Sequence, residues 1–221
     1  MSLYGTTPES RIADPADPTR IFTWLLAESW DNRGNVILYS YKAEDGEGVD
    51  CQCEHEINRR PEARATNRLI KRIRYGNRTP IHDRAELRGV SWMFEVVFDY
   101  GDHADSTPTP GDTEPWPVRL DPFSAYRAGF EVRSYRRCRR ILMFHHFPEE
   151  TGVGSDCLVR ALSLFYDDER EERACPEQPV ASLLSAVRLT GYRREARARV
   201  GLMPDAAGVS CAAHRLPGIA R

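Results

Sequence analysis

The sequence predicts a mainly β fold in which antiparallel strands and hairpins are joined by long loops. Three observations support this class. Aromatic and branched apolar residues are concentrated in short runs, and Gly, Pro, Asn and Asp bound these runs. Two of the runs flank a short segment that contains Asn and Gly. No stretch keeps a helical spacing of its apolar residues over three full turns.

The first half of the chain contains the clearest hairpin. Its predicted strands are Ile21–Glu28 and Val36–Lys42, and the segment Asp31–Asn35 precedes the second strand. Glycine and asparagine tolerate the positive φ that hairpin turns require, so the two strands are expected to pair. The polar stretch Ala43–Thr66 shows no sustained period and is interpreted as an excursion, with a short helix near Pro61–Asn67.

The second half alternates strands with loops. The run Val90–Tyr100 is almost continuously apolar, which is typical of a strand buried on both faces. Five prolines predict a long loop over residues 101–122. The other predicted strands are Arg68–Tyr75, which stops at the turn residues 76–80, Phe130–Phe147, Cys157–Tyr166 and Val180–Tyr192, with a charged loop at Asp167–Glu177.

Two regions differ in composition. Residues 1–194 form the β-rich region, whereas residues 195–221 are rich in Arg, Ala, Gly and Pro and show no alternation. We expect this second region to be a poorly ordered tail.

Composition excludes several classes of protein. The chain has 221 residues, with 31 Lys and Arg against 33 Asp and Glu, so its charge gives no overall attraction to nucleic acid or anionic membrane. No apolar run approaches the roughly 20 residues that cross a bilayer, and Met1–Arg11 does not resemble a signal peptide. We expect synthesis in the cytoplasm. Six cysteines spread over the chain are expected to be free thiols.

The segment Glu54-His55-Glu56 has the Glu-x-Glu spacing of many ADP-ribosyltransferases that modify arginine. In an extended segment, residues i and i+2 point the same way, so two carboxylates could meet one substrate. The flanking sequence is typical of a loop, and no Ser-Thr-Ser segment accompanies the pair. A solvated acidic loop is the favoured interpretation.

Two clusters carry potential metal ligands. Cys51, Cys53 and His55 offer three soft ligands, but a structural zinc site usually needs four and no second pair is present. Oxygen ligands for calcium are offered by a second cluster at a predicted strand end, Asp99, Asp102, His103 and Asp105. Its spacing is not that of an EF-hand, and neither cluster is assigned a metal.

The adjacent His145 and His146 are expected to leave a strand by opposite faces, one packed against a carbonyl and the other in solvent.

The densest basic stretch consists of Arg133, Arg136, Arg137, Arg139 and Arg140, with Tyr135 among them. Such a stretch could bind a polyanion. Pairing with carboxylates of neighbouring strands and stacking on aromatic rings is the simpler interpretation. Phosphate-binding, dinucleotide, nucleophile-elbow and zinc-protease motifs are absent from the sequence, so no catalytic, cofactor-binding or metal residue is predicted.

The order of several segments resembles a known family, the SpvB-type region that opens the B components of insecticidal toxin complexes. The segments, which fall in the family's order, are Ala13–Leu26, Asp31–Asp50, Asn67–Pro80, Trp92–Asp102, Asp121–Phe147 and Pro179–Arg194. The family region has further strands before and after this stretch. The chain is therefore expected to be incomplete at both ends and to be a truncated or frame-shifted copy.

The resemblance implies a fragment of a larger β-rich shell that encloses a toxic cargo, without catalysis, cofactor, nucleic-acid binding or membrane insertion. It implies the other parts of the toxin complex as partners: the remaining B-component shell, the C component and the pore-forming A component. It also implies secretion without a recognisable signal peptide. Unpaired strand edges predict self-association. An ADP-ribosyltransferase-type toxin enzyme and a polyanion-binding module through Arg133–Arg140 remain the alternatives.

Overall fold

The structure is a computed structural model, and it describes residues 1–167, 181–194 and 211–214. Within these residues the chain is mainly β, as predicted. The strands are β1 (Ser2–Tyr4), β2 (Arg11–Asp14), β3 (Asp17–Trp24), β4 (Leu26–Trp30), β5 (Val36–Ala43), β6 (Arg68–Asn77), β7 (Trp92–Asp99), β8 (Phe123–Ala125), β9 (Val132–Ser134), β10 (Arg140–Phe147), β11 (Gly154–Tyr166), β12 (Leu184–Arg194) and β13 (Cys211–His214). A helical turn, α1, spans Pro61–Arg64, and 3₁₀ turns span Pro8–Ser10 and Arg84–Leu87.

One antiparallel sheet dominates the described residues. Its nine strands are arranged in the order β1-β4-β5-β6-β7-β10-β11-β12-β13. Two small hairpins, β2–β3 and β8–β9, lie outside it. The connections 44–67 and 100–139 are the long loops, and they carry most of the polar residues singled out in the sequence.

The predicted hairpin is confirmed, although its first strand is shorter than expected. Strands β4 and β5 pair antiparallel, with Glu28 opposite Leu38 and Trp30 opposite Val36. The predicted strand Ile21–Glu28 is instead divided at Leu25, whose N–H donates to the carbonyl of Ser10. Residues before Leu25 belong to the β2–β3 hairpin, and residues after it belong to the main sheet.

The prediction of a single strand over Phe130–Phe147 is wrong. Strand β9 ends at Ser134 and β10 begins at Arg140, so residues 135–139 form an irregular segment between two different sheets. The backbone groups of this segment bond elsewhere: the carbonyl of Tyr135 accepts from Arg119, and the N–H of Arg139 donates to Asp99. Burial does not mark the break, because Tyr135 is buried although it belongs to neither strand.

The register separates the side chains of the main sheet onto two faces, because residues directly opposite each other point the same way. Val97 lies opposite Leu142, and Leu142 lies opposite Ala161. These three are at most 1% exposed and form the core with Phe144 and Leu158. We call this side of the sheet the buried face.

The other side, which we call the open face, is apolar but not sealed. Its apolar side chains lie in rows across strands β5, β6, β7, β10, β11 and β12, with Ile73 opposite Val96 and Val96 opposite Met143, for example. They are Ile37, Tyr39, Ile73, Tyr75, Phe94, Val96, Phe98, Ile141, Met143, Leu162, Leu164, Val187 and Leu189, all of them partly buried or exposed.

The prediction that the run Val90–Tyr100 is buried on both faces is therefore wrong. In strand β7, Glu95, Val97 and Asp99 are buried, whereas Phe94, Val96 and Phe98 remain partly exposed. The apolar residues of the run therefore serve both faces. Val97 belongs to the core, and Phe94, Val96 and Phe98 belong to the open face.

The predicted tail lies mostly outside the described residues. Within it the structure describes Cys211–His214, which pair with Gly191–Arg194 of β12. The division of the chain at residue 194 stays a prediction. In the described part of the chain, no helix combines the length and apolar character that crossing a bilayer demands.

Neighbouring residues of β10 test the two faces directly. Replacing the fully buried Leu142 by alanine should lower the free energy of unfolding by about 3 kcal/mol, because it leaves a cavity in the core. Replacing the adjacent Ile141, which is on the open face, should cost only about 1 kcal/mol. Urea denaturation of both variants measures the difference, and equal losses would contradict the assignment of the faces.

Candidate functional site

The polar residues of the two long loops form buried ion pairs. Glu56 is the centre of the first cluster and is 2% exposed. Its Oε1 lies 2.7 Å from Arg59 Nη1 and 2.8 Å from Arg133 Nη2, while Tyr135 Oη donates to its Oε2 at 2.7 Å. Arg64 approaches the same oxygen at 3.3 Å. The carboxylate thus joins residues 56–64 to strand β9 and the segment after it.

Electrostatics keep Glu56 ionised. Burial alone raises the pKa of its carboxyl, but the hydrogen bond from Tyr135 and the charges of Arg59 and Arg133 lower that pKa to about 2. The companion residue Glu54 is exposed. The two carboxylates therefore differ in burial and surroundings, and both oxygens of Glu56 are engaged by the protein itself.

A second ion pair lies between Glu44 and Arg136, whose side chains are both 0% exposed. The guanidinium binds the carboxylate through Nε at 3.0 Å and Nη2 at 2.6 Å. Its plane also lies over the ring of Trp116, 4.3 Å from the centroid, and Trp116 Nε1 donates to Asp45 at 2.9 Å. This cluster fastens the loop 100–139 to the end of β5.

Two other arginines of the basic stretch, Arg137 and Arg140, also have partners within the protein. Arg140 Nε donates to Asp99 on the adjacent strand β7, and Arg137 lies over Tyr166 and donates to Ser182 Oγ at 2.6 Å. The prediction that carboxylates and aromatic rings account for the arginines is confirmed for Arg133, Arg136, Arg137 and Arg140. Several of the carboxylates come from loops rather than from neighbouring strands, which the sequence pattern did not indicate.

The acidic cluster predicted at the end of β7 is real, but the protein supplies its cation. Asp99, Asp102 and His103 bring their ligand atoms within 4.8 Å of one another. Lys71 Nζ lies 2.8 Å from both oxygens of Asp102 and 2.9 Å from His103 Nε2. The fourth candidate, Asp105, is exposed and lies 3.5 Å from Arg140. A buried ammonium therefore already binds two of the three candidate metal ligands, Asp102 and His103.

The environment of His103 agrees with this arrangement. Its Nδ1 lies 2.9 Å from the carbonyl of Thr109, so Nδ1 carries the proton and Nε2 accepts from Lys71. Burial and the Lys71 charge lower the pKa of His103. The ring is thus a neutral acceptor.

The soft-ligand cluster remains on the surface. Cys51 and His55 are exposed, and Cys53 Sγ donates to Asp50 Oδ2 at 3.1 Å. Among the described residues these three do not form a metal-compatible group. Cys51, Cys53 and Cys138 are free thiols, as predicted.

His145 and His146 leave β10 by opposite faces, as predicted. His145 packs edge-on against Phe94 on the open face, with ring centroids 5.0 Å apart. The expectation of a carbonyl partner is wrong for His146, which lies between two carboxylates: Glu95 at 3.3 Å and Asp156 at 3.0 Å.

Sequence reasoning missed the importance of Glu95, which is 5% exposed on the buried face. Arg72 and Arg74 on the adjacent β6 both donate to it at 3.1 Å, and His146 approaches it from β10. Burial raises its pKa, but these partners lower it to about 2. The signal in the sequence was the single carboxylate inside the apolar run of β7, because a carboxylate that is buried requires charged partners.

Comparison with known proteins agrees with the fold and extends it. The family model described as Salmonella virulence plasmid 65kDa B protein (SpvB) matches residues 1–147. Mono(ADP-ribosyl)transferase SpvB of Salmonella typhimurium (strain 14028s / SGSC 2262) is 39% identical over 199 residues, which cover 87% of this chain and 31% of the relative. SpvB of Salmonella dublin matches to the same extent. The chain spans about a third of the length of these relatives.

Solved structures show the same fold. The N-terminal domain of the effector SpvB from Salmonella typhimurium strain LT2 matches with a TM-score of 0.76 and 38% identity, covering 87% of this chain and 58% of that one. The TcdB2-TccC3-Cdc42 complex matches with a TM-score of 0.72 and 35% identity, covering 87% of this chain and 9% of the other. The Photorhabdus luminescens Tc holotoxin pore matches with a TM-score of 0.72 and 35% identity, covering 86% of this chain and 9% of the other.

Breaking the buried pair between Glu44 and Arg136 should be strongly destabilising. The E44Q variant leaves the guanidinium buried beside a neutral partner, and the free energy of unfolding should fall by about 3 kcal/mol. The control D105N removes the exposed partner of Arg140 and should change stability by less than about 0.5 kcal/mol. Urea denaturation distinguishes the two, and an unchanged E44Q protein would show that the pair is not needed.

The pH dependence of stability should reveal His146. Its hydrogen bond with Glu95 is the main cause that raises its pKa above 6.5, so its stabilising contribution is complete below pH 6.5. The contribution is then lost as the pH rises through the raised value. Comparing unfolding of the wild type and H146Q between pH 5 and pH 9 should therefore show the largest difference at the acidic end.

The control for this measurement is H145Q. Burial lowers the pKa of His145, so its contribution has the opposite sign and favours the folded state as the pH rises. The same trend in both variants would refute the separate environments of the two rings.

Proposed function

The chain belongs to the SpvB family, and on that basis we propose that it is a non-catalytic segment of a toxin shell. The homologues are virulence and toxin-complex proteins, so the chain is a toxin or virulence segment. In the proposal, its main sheet forms part of the wall of the B component, which encloses a toxic cargo and helps to deliver it.

One observation carries the proposal. The fold of this chain recurs as part of an N-terminal domain in SpvB and as 9% of much longer chains in the Tc structures. A unit found within larger assemblies of different length acts as a building element. The nine-stranded sheet suits this role because antiparallel pairing satisfies backbone hydrogen bonds over a large area.

The contacts of the long loops support a structural role. Buried pairs such as Glu44–Arg136 and Lys71–Asp102 hold residues far apart in sequence at fixed positions. Breaking such a pair is costly, whereas its net contribution against an apolar core is small, so its benefit is specificity of shape. A wall element needs a defined shape, and a reaction centre needs ionisable groups that a substrate can reach.

An enzymatic role has one source of support, which is the printed activity of the SpvB relatives. The chain spans 31% of those proteins, and the structural match is to the N-terminal domain. The Glu-x-Glu pair does not offer two free carboxylates, because Glu56 is buried among arginines. The geometry therefore favours the structural role.

A polyanion-binding role would need arginines free to contact phosphates. Arg133, Arg136 and Arg140 instead bind Glu56, Glu44 and Asp99. The charges of these three side chains are compensated inside the protein, and this alternative loses its main support.

The proposed partners are the remaining B-component shell, the C component and the pore-forming A component. The similarity to TcdB2-TccC3 and to the holotoxin pore supports association with such components. We also propose that the chain is made in the cytoplasm and reaches the outside of the cell as part of the toxin.

A chimera tests the shell role. In the proposal the matched segment lies in TcdB2, so this chain replaces that segment and the chimera is produced together with TccC3. We expect a complex with the mass and protease resistance of TcdB2-TccC3, because the fold and 35% of the residues are shared. Assembly is measured by size-exclusion chromatography with light scattering. A chimera that folds but remains separate from TccC3, or leaves the enclosed segment open to protease, would refute the proposal.

A further inference from the structure

The open face of the main sheet carries three continuous rows of apolar and aromatic side chains. One row consists of Tyr39, Ile73, Val96 and Met143, each opposite the next on adjacent strands. The second consists of Phe98, Ile141, Leu162 and Leu189. The third consists of Ile37, Tyr75, Phe94 and His145. Six strands contribute to this surface.

The exposure of these side chains shows that described residues do not seal the face. Residues of the buried face such as Val97 and Leu142 are 0% exposed, whereas Val96 and Ile141, their neighbours in the chain, are only partly buried. Toward β12 the exposure increases, and Val187 and Leu189 are 53% and 51% exposed. A protein surface rarely leaves so large an apolar area to water unless a partner covers it.

The chemistry of the face restricts the partner. The three rows contain one side chain that can carry charge near neutral pH, that of His145, whose pKa is lowered by burial. A charged residue, Arg160, lies next to the first row, opposite Met143 on β11. The aromatic rings are already arranged against one another: Tyr75 stacks on Phe94 at 5.1 Å, and Phe94 meets Phe147 edge-on at 5.8 Å. Such a surface fits an uncharged, apolar partner surface.

The size of the face indicates a layer rather than a single peptide. Six strands at about 4.8 Å spacing span roughly 24 Å, and five residues along a strand span roughly 17 Å. A helix covers only about 10 Å of that width. A second sheet, packed at a distance of about 10 Å, covers it completely.

We propose that in the assembled toxin a second β-layer of the shell polypeptide packs on the open face. Its inner side would carry aromatic and branched aliphatic side chains. This inference rests on the proposed shell function. The matched chains supply ample polypeptide for the layer, because this chain covers 9% of the Tc chains and 58% of the solved SpvB domain.

The chimera with TcdB2, produced with TccC3, tests the proposal when lysine is placed on the open face. V96K and I141K each put a charge into the buried contact, so the yield of assembled complex should fall at least tenfold. The matched control M143L keeps the face apolar at nearly constant volume and should assemble like the unsubstituted chimera. If V96K and I141K assemble as well as M143L, the face is not covered and the proposal is overturned.

Two measurements on the 221-residue chain keep this result interpretable. Because the open face contacts water in the isolated chain, V96K and I141K should retain its thermal transition within a few degrees. Loss of the folded state in both variants would mean that the chain covers the face itself, which contradicts the proposal. Sedimentation velocity addresses a second copy: a stable dimer that I141K dissolves would assign the face to self-association instead.

Failure of the shell function itself has a different signature. In that case the unsubstituted chimera does not assemble with TccC3, whatever residue stands at position 96 or 141. Failure of the further inference leaves the unsubstituted chimera intact and the lysine variants equally intact.

Discussion

The antiparallel register of strands β6, β7, β10 and β11 is the constraint on which the rest of the structure depends. Because side chains alternate between faces, the pairing of Val97 with Leu142 also fixes the pairing of Val96 with Met143. A shift of the register by one residue would transfer Glu95, Asp99 and the core residue Val97 from the buried face to the open face. Two features hold the register: the hydrophobic contacts of the buried face, and the ion pairs that Glu95 and Asp99 make across strands.

The ion pairs also determine the course of the loops. The segments 44–67 and 100–139 contain little regular structure. Side chains within and beside them nevertheless form ion pairs with residues 60 to 92 positions away in sequence, as in Lys42–Asp102 and Glu44–Arg136. Apolar contacts would accept many loop conformations, whereas a bidentate carboxylate–guanidinium pair accepts few. The loops are thereby fixed to one end of the sheet without a large core of their own.

Much of this could be predicted from the sequence, and the failures have physical causes. The class, the β4–β5 hairpin and the long proline-rich loop followed from local patterns, because turn residues and alternation act over a few positions. The breaks at Leu25 and at residues 135–139 could not be predicted, because they depend on which sheet each segment joins. The partners of Glu56 could not be predicted either, because the four side chains that contact it lie between 3 and 79 positions away and only the fold brings them together.

The buried Lys71 has a consequence for the conditions that the protein can withstand. Many extracellular proteins stabilise an acidic cluster at a strand end with calcium, and their folding then depends on the calcium concentration around them. Here the positive charge is covalently part of the chain and sits 2.8 Å from Asp102. Because Lys71 neutralises Asp102 without a bound ion, this contact does not depend on the calcium concentration around the protein.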